Sequence, residues 1–283
     1  MKVIGYVDYF IDEWHSNNCI VWLDELCRKY GYDFKIKYAW AETDTYPGKL
    51  PTDEWCAQKG IQRCKTIEEL CEKSDYIMVF APANPEKHLE YAEKVFKYGK
   101  NTYIDKTFAP NKEEAEKIYE LGEKYGTKFF STSALRYARE FDEYEDGINS
   151  IVIKGGGGSF EEYIIHQIEM LVKLMGVGAE KVKVFPSSKQ AVCVVKYKDG
   201  RSGFLEYSPS ISPFNVVIED KNGNDTSKSL GESTYFLTML ASVLNFFESG
   251  KLPFEKEQTI EVISLRDALI KAIKKPDEWI KID

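Results

Sequence analysis

The sequence predicts an α/β protein with two domains. A doubly wound parallel sheet is expected at residues 1–132, followed by an α+β domain with a mainly antiparallel sheet at residues 133–283. In the first part, short apolar runs alternate with amphipathic helical segments, which is typical of a parallel sheet covered on both faces. In the second part, strand-like runs follow one another and are joined by Asp-Gly and Asn-Gly turns, which indicates antiparallel hairpins.

The first part is predicted to contain alternating strands and helices. The strands are Lys2–Asp8, Phe34–Trp40, Tyr76–Ala81, Thr102–Asp105 and Lys128–Ser131. The helices are Asn17–Tyr30, Thr66–Lys73, Pro85–Tyr98 and Asn111–Tyr125. Gly31 and Gly99 each follow a helix, because glycine readily adopts the left-handed conformation that ends one. Thr66 with Glu69 three residues later forms the pattern of a capping box.

The second part is predicted to contain a sheet covered by helices on one side. The strands are Ile151–Lys154, Lys181–Phe185, Ala191–Tyr197, Gly203–Ser208 and Asn215–Glu219. The helices are Ser159–Met175, Thr234–Glu248 and Thr259–Ile273. Apolar residues alternate along these strands, so that one face can cover the helices of the domain. The other face is then a candidate surface for a partner subunit.

Composition argues against several classes of function. The formal net charge is −8 and the isoelectric point is near 5.2, so the chain has no excess of the basic residues that bind nucleic acids or anionic membranes. No apolar run reaches the roughly 18 residues of a membrane helix, and the first residues resemble a strand rather than a signal peptide. The six cysteines lack C-x-x-C spacing, which favours free thiols over a structural zinc. We therefore expect a cytoplasmic protein without a metal site.

Two groups of residues recur in an order that one enzyme family shares. The first group consists of Ala81-Pro82, His88, Ala92, Gly99-Lys100, Asp105-Lys106-Thr107 and Glu114-Ala115. The second group, at the start of a predicted helix, consists of Gly157-Gly158, Glu162, His166 and Glu169. In order and spacing these residues resemble the family of glucose–fructose oxidoreductase, inositol dehydrogenase and the rhizopine-catabolism protein (Gfo/Idh/MocA).

The resemblance implies an NAD- or NADP-dependent dehydrogenase with a Rossmann-like first domain. It also implies a small polar substrate, such as a sugar or polyol, and a homodimer or larger homo-oligomer. The candidate catalytic residues are Lys106, His166 and Glu162. The candidate cofactor-binding residues are Gly5, Glu42, Ala81, Pro82 and Asp105. The candidate substrate-binding residues are Arg136, His88 and His15.

Elementary chemistry supports the roles of Lys106 and His166. Oxidation of a secondary alcohol requires a base for the hydroxyl proton and positive charge near the developing carbonyl oxygen. Lys106 follows a predicted parallel strand, at the edge where doubly wound sheets bind their ligands. His166 shares a helix face with Glu162 and Glu169, and a nearby carboxylate would raise the basicity of its ring. We therefore expect His166 to face Lys106 across a cleft between the domains.

Three features depart from the family pattern. The fingerprint G-x-G-x-x-G is missing after the first strand, where only Gly5 remains and the loop Asp8–His15 carries three carboxylates. Glu-Lys-Pro has become Asp105-Lys106-Thr107, and the segment between Ile151 and His166 is short. The loop places negative charge where a diphosphate would bind, so any dinucleotide should bind weakly. The loop could instead be a plain solvated loop, or its Asp8, Asp12, Glu13 and His15 could bind a cation or a polar substrate.

Two other functions therefore stay open. The first is a binding protein or inactive enzyme of the same fold that has lost the nucleotide site. The second is a hydrolase or lyase that uses Lys106 and His166 without net redox change. Individual residues also have structural alternatives: His88 could cap a helix, Arg136 could form a salt bridge between the domains, and Gly155–Gly158 could form a turn rather than an anion site.

Overall fold

The computed structural model of the chain describes residues 1–144, 147–231, 234–276 and 278–282. The chain forms two compact units. The first comprises Met1–Thr132 with Met239–Phe254, and the second comprises Ser133–Thr238 with Glu255–Asp283. The sequence pattern places residues 239–254 in the second domain, but aromatic side chains of this segment pack on the first unit. Phe247, for example, stacks on Tyr76 with ring centroids 4.8 Å apart.

The first unit contains a parallel sheet, which confirms the predicted fold class. Its strands are β1 Lys2–Asp8, β2 Phe34–Ala41, β3 Gln62–Arg63, β4 Tyr76–Val79, β5 Thr102–Asp105 and β6 Phe129–Thr132. Its helices are α1 Trp14–Tyr30, α2 Thr52–Lys59, α3 Ile67–Lys73, α4 Lys87–Val95 and α5 Lys112–Tyr125. The spatial order is β3-β2-β1-β4-β5-β6, so the chain changes direction through the sheet beside β1. In doubly wound sheets, ligands bind at such a switch point.

Close packing and helix capping set the local structure around β1. Gly5 lies inside β1, where a Cβ would overlap the Leu70 side chain of α3, so glycine lets this helix approach the sheet. α1 begins at Trp14 rather than at the predicted Asn17, because the side chain of Glu13 caps its N-terminus. α2 and β3 lie outside the predicted elements.

The second unit contains a mixed, mainly antiparallel sheet, as predicted. Its strands are β7 Ile148–Gly155, β8 Ala179–Pro186, β9 Ala191–Tyr197, β10 Ser202–Tyr207, β11 Asn215–Asp220, β12 Asp225–Ser229 and β13 Ile280–Lys281. The remaining helices are α6 Phe160–Met175, α7 Tyr235–Ser249 and α8 Lys256–Ile273. The spatial order is β12-β11-β7-β10-β9-β8-β13, and β7 and β10 form a parallel pair. From Met239 onward, α7 belongs to the first unit.

α6 covers one face of the second sheet. A Cβ on Gly203 of β10 would overlap the Leu171 side chain of α6, so this face of the strand is in direct contact with the helix. Side chains alternate between the faces of a strand, and Leu205, two residues further on, is accordingly buried. On the opposite face, Val192 of β9 is 44% exposed. Within the described residues, no helix is long and apolar enough to cross a membrane.

Candidate active site

The carboxyl ends of β1, β4 and β5 form the edge of the first unit at which a ligand is expected. Asp8 ends β1, Ala81 follows β4, and Lys106 directly follows β5. Lys106 is half-buried, and its Nζ donates to the carbonyl oxygen of Pro82 at 3.4 Å. The peptide bond between Lys106 and Thr107 is cis. The structure therefore brings Lys106 together with the predicted residues of the β4 loop.

Asp8 is completely buried at this edge. Its Oδ1 accepts hydrogen bonds from the backbone N–H groups of Tyr9 at 2.7 Å and Ala81 at 3.0 Å, while no described residue bonds to its Oδ2. Burial, and then the negative charge of Glu13, raises the pKa of Asp8 well above its ordinary value. Ala81 has a φ of 63°, which non-glycine residues rarely adopt. One carboxyl group thus ties the turn after β1 to the turn after β4.

A second carboxylate, that of Glu13, caps the N-terminus of α1. Glu13 is 5% exposed, and it accepts from the backbone N–H of His15 at 2.8 Å and from the backbone N–H of Ser16. The same carboxylate lies 2.9 Å from Nδ1 of His15. On the other side of the ring, Nε2 of His15 lies 3.8 Å from Oδ2 of Asp105. His15 is therefore held between two buried carboxylates, beside the residue that precedes Lys106.

The other residues that the sequence assigns to the nucleotide have partners within the first unit. Gly5 lies in the interior of β1 and contacts α3, not an open loop. Glu42, which follows β2, accepts from Nζ of Lys87 at 2.6 Å and from the hydroxyl of Tyr91 at 2.8 Å. Glu42 thus has the position expected for a ribose-binding acid, although both of its oxygens already accept a hydrogen bond.

His88 is a buried link between two loops. It lies in the first turn of α4 and has no exposed surface. Its Nδ1 lies 2.9 Å from the carbonyl oxygen of Phe108, and its Nε2 contacts the carbonyl oxygen of Phe80. Burial lowers the pKa of His88 below its ordinary value. These contacts are structural and join the loop after β4 to the loop after β5, whereas substrate contact at His88 stays a prediction.

In the second unit, His166 lies on α6 and is half-buried. Its Nδ1 lies 2.7 Å from the hydroxyl oxygen of Ser133. The backbone N–H of Ser133 donates to Oε1 of Glu169 at 3.1 Å. The other oxygen of Glu169 lies 3.2 Å from the guanidinium of Arg136. A chain of polar contacts therefore runs from a buried ion pair through Ser133 to the imidazole ring, and it favours one orientation of that ring.

This arrangement differs from the carboxylate–histidine contact that the sequence suggests. Glu162 is exposed, and its backbone N–H donates to the hydroxyl of Ser159, which caps α6. Glu169 pairs with Arg136, whose salt bridge lies within the second unit rather than between the domains. Ser133 was missed in the sequence, because a single serine between two predicted elements has no pattern of its own.

The glycine run before α6 is used for close packing. Gly155–Gly158 joins β7 to the helix. A Cβ at each of the first three positions would overlap, in order, the ring of Phe214, the carbonyl oxygen of Ser208 and the ring of Tyr163. Each of these three glycines therefore makes room for a neighbouring group of the same unit, and the anion site suggested for this run stays a prediction.

The described residues contain no group of three or more His, Cys, Asp or Glu side chains that could hold a metal ion. The six cysteines are free thiols. Burial raises the pKa of Cys19, which lies in α1, to about 12, so this thiol stays protonated at neutral pH.

A dinucleotide fits the edge of the first sheet only in part. The strand order provides the switch point beside β1, and Glu42 lies after β2 as a ribose-binding acid would. A diphosphate, however, binds to backbone N–H groups at the N-terminus of the first helix. Here His15 and Ser16 donate those groups to Glu13. The diphosphate does not fit the N-terminus of α1 while Glu13 holds this position.

Comparison with known families gives a match over part of the first unit. Residues 46–133 match the Gfo/Idh/MocA family model, which is described as an oxidoreductase family with an NAD-binding Rossmann fold. The matched segment contains Lys106 and begins after the connection between β1 and α1. No curated protein matches the sequence of the chain.

Solved structures that include dehydrogenases share the fold. GenD2 from gentamicin A biosynthesis, in complex with NAD, has a TM-score of 0.81 at 12% identity, and the match covers 100% of this chain and 97% of GenD2. The WlbA dehydrogenase from Bordetella pertussis, in complex with NADH and UDP-GlcNAcA, has a TM-score of 0.75 at 14% identity, with 100% and 98% coverage. The dehydrogenase MviM from Clostridium difficile has a TM-score of 0.74 at 19% identity, with 96% and 99% coverage.

The resemblance predicted from the motifs is therefore confirmed. Its second group of residues, in the helix that carries His166, lies outside the matched segment. Residues 46–133 match the NAD-binding Rossmann model of the Gfo/Idh/MocA oxidoreductase family, and the whole chain shares the fold of these solved structures.

Proposed function

We propose that the protein is an NAD(P)-dependent oxidoreductase that acts on the CH–OH group of a sugar, a polyol or a related hydroxy compound. The observation that carries the proposal is the match of residues 46–133 to an oxidoreductase family, because this segment contains Lys106 at the ligand edge of the sheet. Two proteins of the same fold support it, since GenD2 is bound to NAD, and WlbA to NADH and UDP-GlcNAcA.

The chain supplies two groups to this chemistry. The ammonium group of Lys106 holds the substrate oxygen and stabilises the negative charge that develops on it. The ring of His166 exchanges the hydroxyl proton, and the Ser133 hydroxyl at Nδ1 keeps the ring in one orientation. Glu162, one helical turn before His166 on α6, is the third residue that we assign to the reaction.

One observation favours a second candidate, a polar-ligand protein of the same fold without a nucleotide. The carboxylates of Asp8 and Glu13 hold backbone N–H groups at the switch point, where a diphosphate would otherwise bind. Under this candidate, His15 and Lys106 are ligand-binding residues and no redox reaction occurs.

Titration of the purified protein with NAD(H) and NADP(H), followed by fluorescence, separates the two candidates. Saturable binding, together with turnover of a member of a polyol and sugar panel, supports the oxidoreductase. Binding of a panel compound without any nucleotide binding up to millimolar concentration supports the second candidate. Conversion of a panel compound without redox change would contradict both candidates and indicate a hydrolase or lyase.

Lys106→Met tests the role of the lysine. We expect kcat/KM for the best panel substrate to fall by about 100-fold or more, because the charge that stabilises the reacting oxygen is removed. Lys117→Met is the matched control, since Lys117 lies on the surface of α5 and pairs with Glu113 at 2.6 Å. Equal activity of the two variants would contradict the assignment of Lys106.

The proposal extends to assembly and location. Val192, Val194 and Phe204 lie on the face of the second sheet that α6 does not cover, and Val192 is 44% exposed. We therefore propose that this face pairs two copies of the chain in a homodimer or larger homo-oligomer. Sedimentation that shows only monomer at micromolar concentration would contradict it.

The six free thiols support a reducing compartment, the cytoplasm.

A further inference from the structure

Two carboxylates of the chain hold backbone N–H groups at the switch point of the first sheet. Asp8 accepts from the N–H groups of Tyr9 and Ala81, which begin the turns after β1 and β4. Glu13 accepts from the N–H groups of His15 and Ser16, which open α1. Both acids are buried, so these contacts are shielded from water. The groups that would surround a diphosphate in a doubly wound sheet are therefore already bound to acids of the chain itself.

We infer that Glu13 is an internal competitor for the diphosphate of the nucleotide. The inference rests on the proposed function, because it concerns the cofactor of that reaction. A diphosphate can reach the first turn of α1 only if the Glu13 carboxylate leaves it, and a retained carboxylate would repel the diphosphate at close range. Glu13 therefore keeps the affinity of the folded protein for NAD(P) low, and its displacement is part of nucleotide binding.

Asp12, the neighbouring acid of the same loop, provides a matched control. Its carboxylate accepts from the backbone N–H of Leu50 at 2.9 Å and from the side-chain amide of Asn17 at 2.8 Å. It contacts neither of the N–H groups that Glu13 holds. Removing either acid removes one negative charge from the loop, but only the removal of Glu13 releases the first turn of α1.

The experiment compares Glu13→Ser with Asp12→Asn by calorimetric titration of the full-length protein. Serine retains an N-capping oxygen, so the helix can still begin at the same residue. The probes are ADP-ribose and inorganic diphosphate, which contain the diphosphate but no nicotinamide. We expect Glu13→Ser to bind ADP-ribose about tenfold more tightly than the wild type, because a neutral hydroxyl competes less well than a carboxylate for the N–H groups, which can then make charge-assisted hydrogen bonds to the diphosphate. Asp12→Asn should change the affinity by less than about threefold, because the half-buried Asp12 carboxylate holds neither N–H group of the first turn of α1.

Two results would overturn the inference. One is micromolar binding of ADP-ribose by the wild type, and the other is a gain in Glu13→Ser no larger than the gain in Asp12→Asn. If Glu13→Ser does not unfold cooperatively, Glu13→Gln replaces it, since glutamine keeps the length of the side chain and loses the charge. A gain in Glu13→Gln no larger than in Asp12→Asn then overturns the inference.

The inference and the proposed function can fail separately. If Glu13→Ser gains affinity for ADP-ribose but no variant turns over any hydroxy compound with NAD(P), the internal competitor is supported and the oxidoreductase is contradicted. If the wild type binds NADH tightly and turns over a substrate, the oxidoreductase is supported and the internal competitor is overturned.

Discussion

Two strand-to-helix connections, one in each unit, differ in the residues that they use. The connection from β1 to α1 contains no glycine, and two buried carboxylates hold its backbone N–H groups. The connection from β7 to α6 consists largely of Gly155–Gly158, and neighbouring groups fill the space beside its first three glycines. Glycine is thus absent where a diphosphate would need it and present where packing needs it. A glycine run before a helix is therefore, by itself, weak evidence for a phosphate site.

The buried acids near the two connections also differ in their partners. Asp8 in the first unit accepts only from backbone N–H groups among the described residues, and burial raises its pKa. Glu169 in the second unit lies 3.2 Å from the guanidinium of Arg136. A buried carboxylate is costly unless it is neutral or paired. Burial thus shifts the Asp8 carboxyl group toward its neutral form, whereas Glu169 is paired with the charge of Arg136.

The largest effect is expected for Glu169→Gln, which tests the ion pair. The change should lower the free energy of unfolding by about 3–5 kcal/mol, because the buried guanidinium of Arg136 loses the carboxylate charge 3.2 Å away. Urea denaturation of the variant and of Glu162→Gln measures the difference. Glu162 is exposed on the same helix, so its variant should differ from the wild type by less than about 0.5 kcal/mol. If Glu169→Gln and Glu162→Gln have similar free energies of unfolding, the ion pair of Glu169 with Arg136 does not stabilise the second unit.

Gly156→Ala tests whether the glycine run serves packing. A Cβ at this position would overlap the backbone carbonyl oxygen of Ser208, so the chain must shift. We expect a loss of about 2–3 kcal/mol in the free energy of unfolding. At Gly158 the nearest atom to a Cβ is 3.5 Å away, an ordinary contact, so Gly158→Ala is the control and should be nearly neutral. A neutral Gly156→Ala variant would remove the packing explanation.

The smallest effect is expected for Asp8→Asn and depends on pH. Because the pKa of Asp8 is raised in the folded state, the folded protein binds the proton more tightly than the unfolded chain does. This contribution is fully present below the ordinary carboxyl pKa and is lost as pH rises through the raised value. The stability of Asp8→Asn relative to the wild type should therefore increase between pH 4 and pH 8, by about 1 kcal/mol or more.

Urea denaturation at both pH values checks this prediction. Asp53→Asn is a control, because the Asp53 side chain is 77% exposed and lies on the surface of α2. If the relative stability of Asp8→Asn does not change with pH, the carboxyl group of Asp8 is not favoured in its neutral form.

Much of the fold could be predicted because buried strands have a strong apolar pattern. The bounds of β1, β5 and β9 agree with those predicted from the sequence. α2 was missed because it has two turns and few buried residues, among them Trp55 and Cys56. β12, with the sequence Asp-Thr-Ser-Lys-Ser, was missed because an edge strand of polar residues has no apolar alternation.

The candidate site residues stay predictions, and their contacts could not be predicted from the sequence. Motif spacing predicts Lys106 and His166 as site residues, and the loop composition predicts Asp8, Asp12 and Glu13 as an obstacle to a diphosphate. The start of α1 was placed three residues late, because glutamate is not a residue that usually marks an N-cap. The Ser133 contact with His166 joins residues 33 positions apart, and no local pattern reports such a contact.

The buried ring of His88 has a consequence for how the first site can change. One ring nitrogen contacts the carbonyl oxygen of Phe80, the residue before Ala81. The other contacts the carbonyl oxygen of Phe108, two residues after Lys106. The loop after β4, which donates a hydrogen bond to Asp8, and the loop after β5, which contains Lys106, are therefore both held by the side chain of His88. We therefore expect a substitution that moves one loop to displace the other as well, because both loops contact the same imidazole ring. The effects of substitutions in the two loops are then not independent.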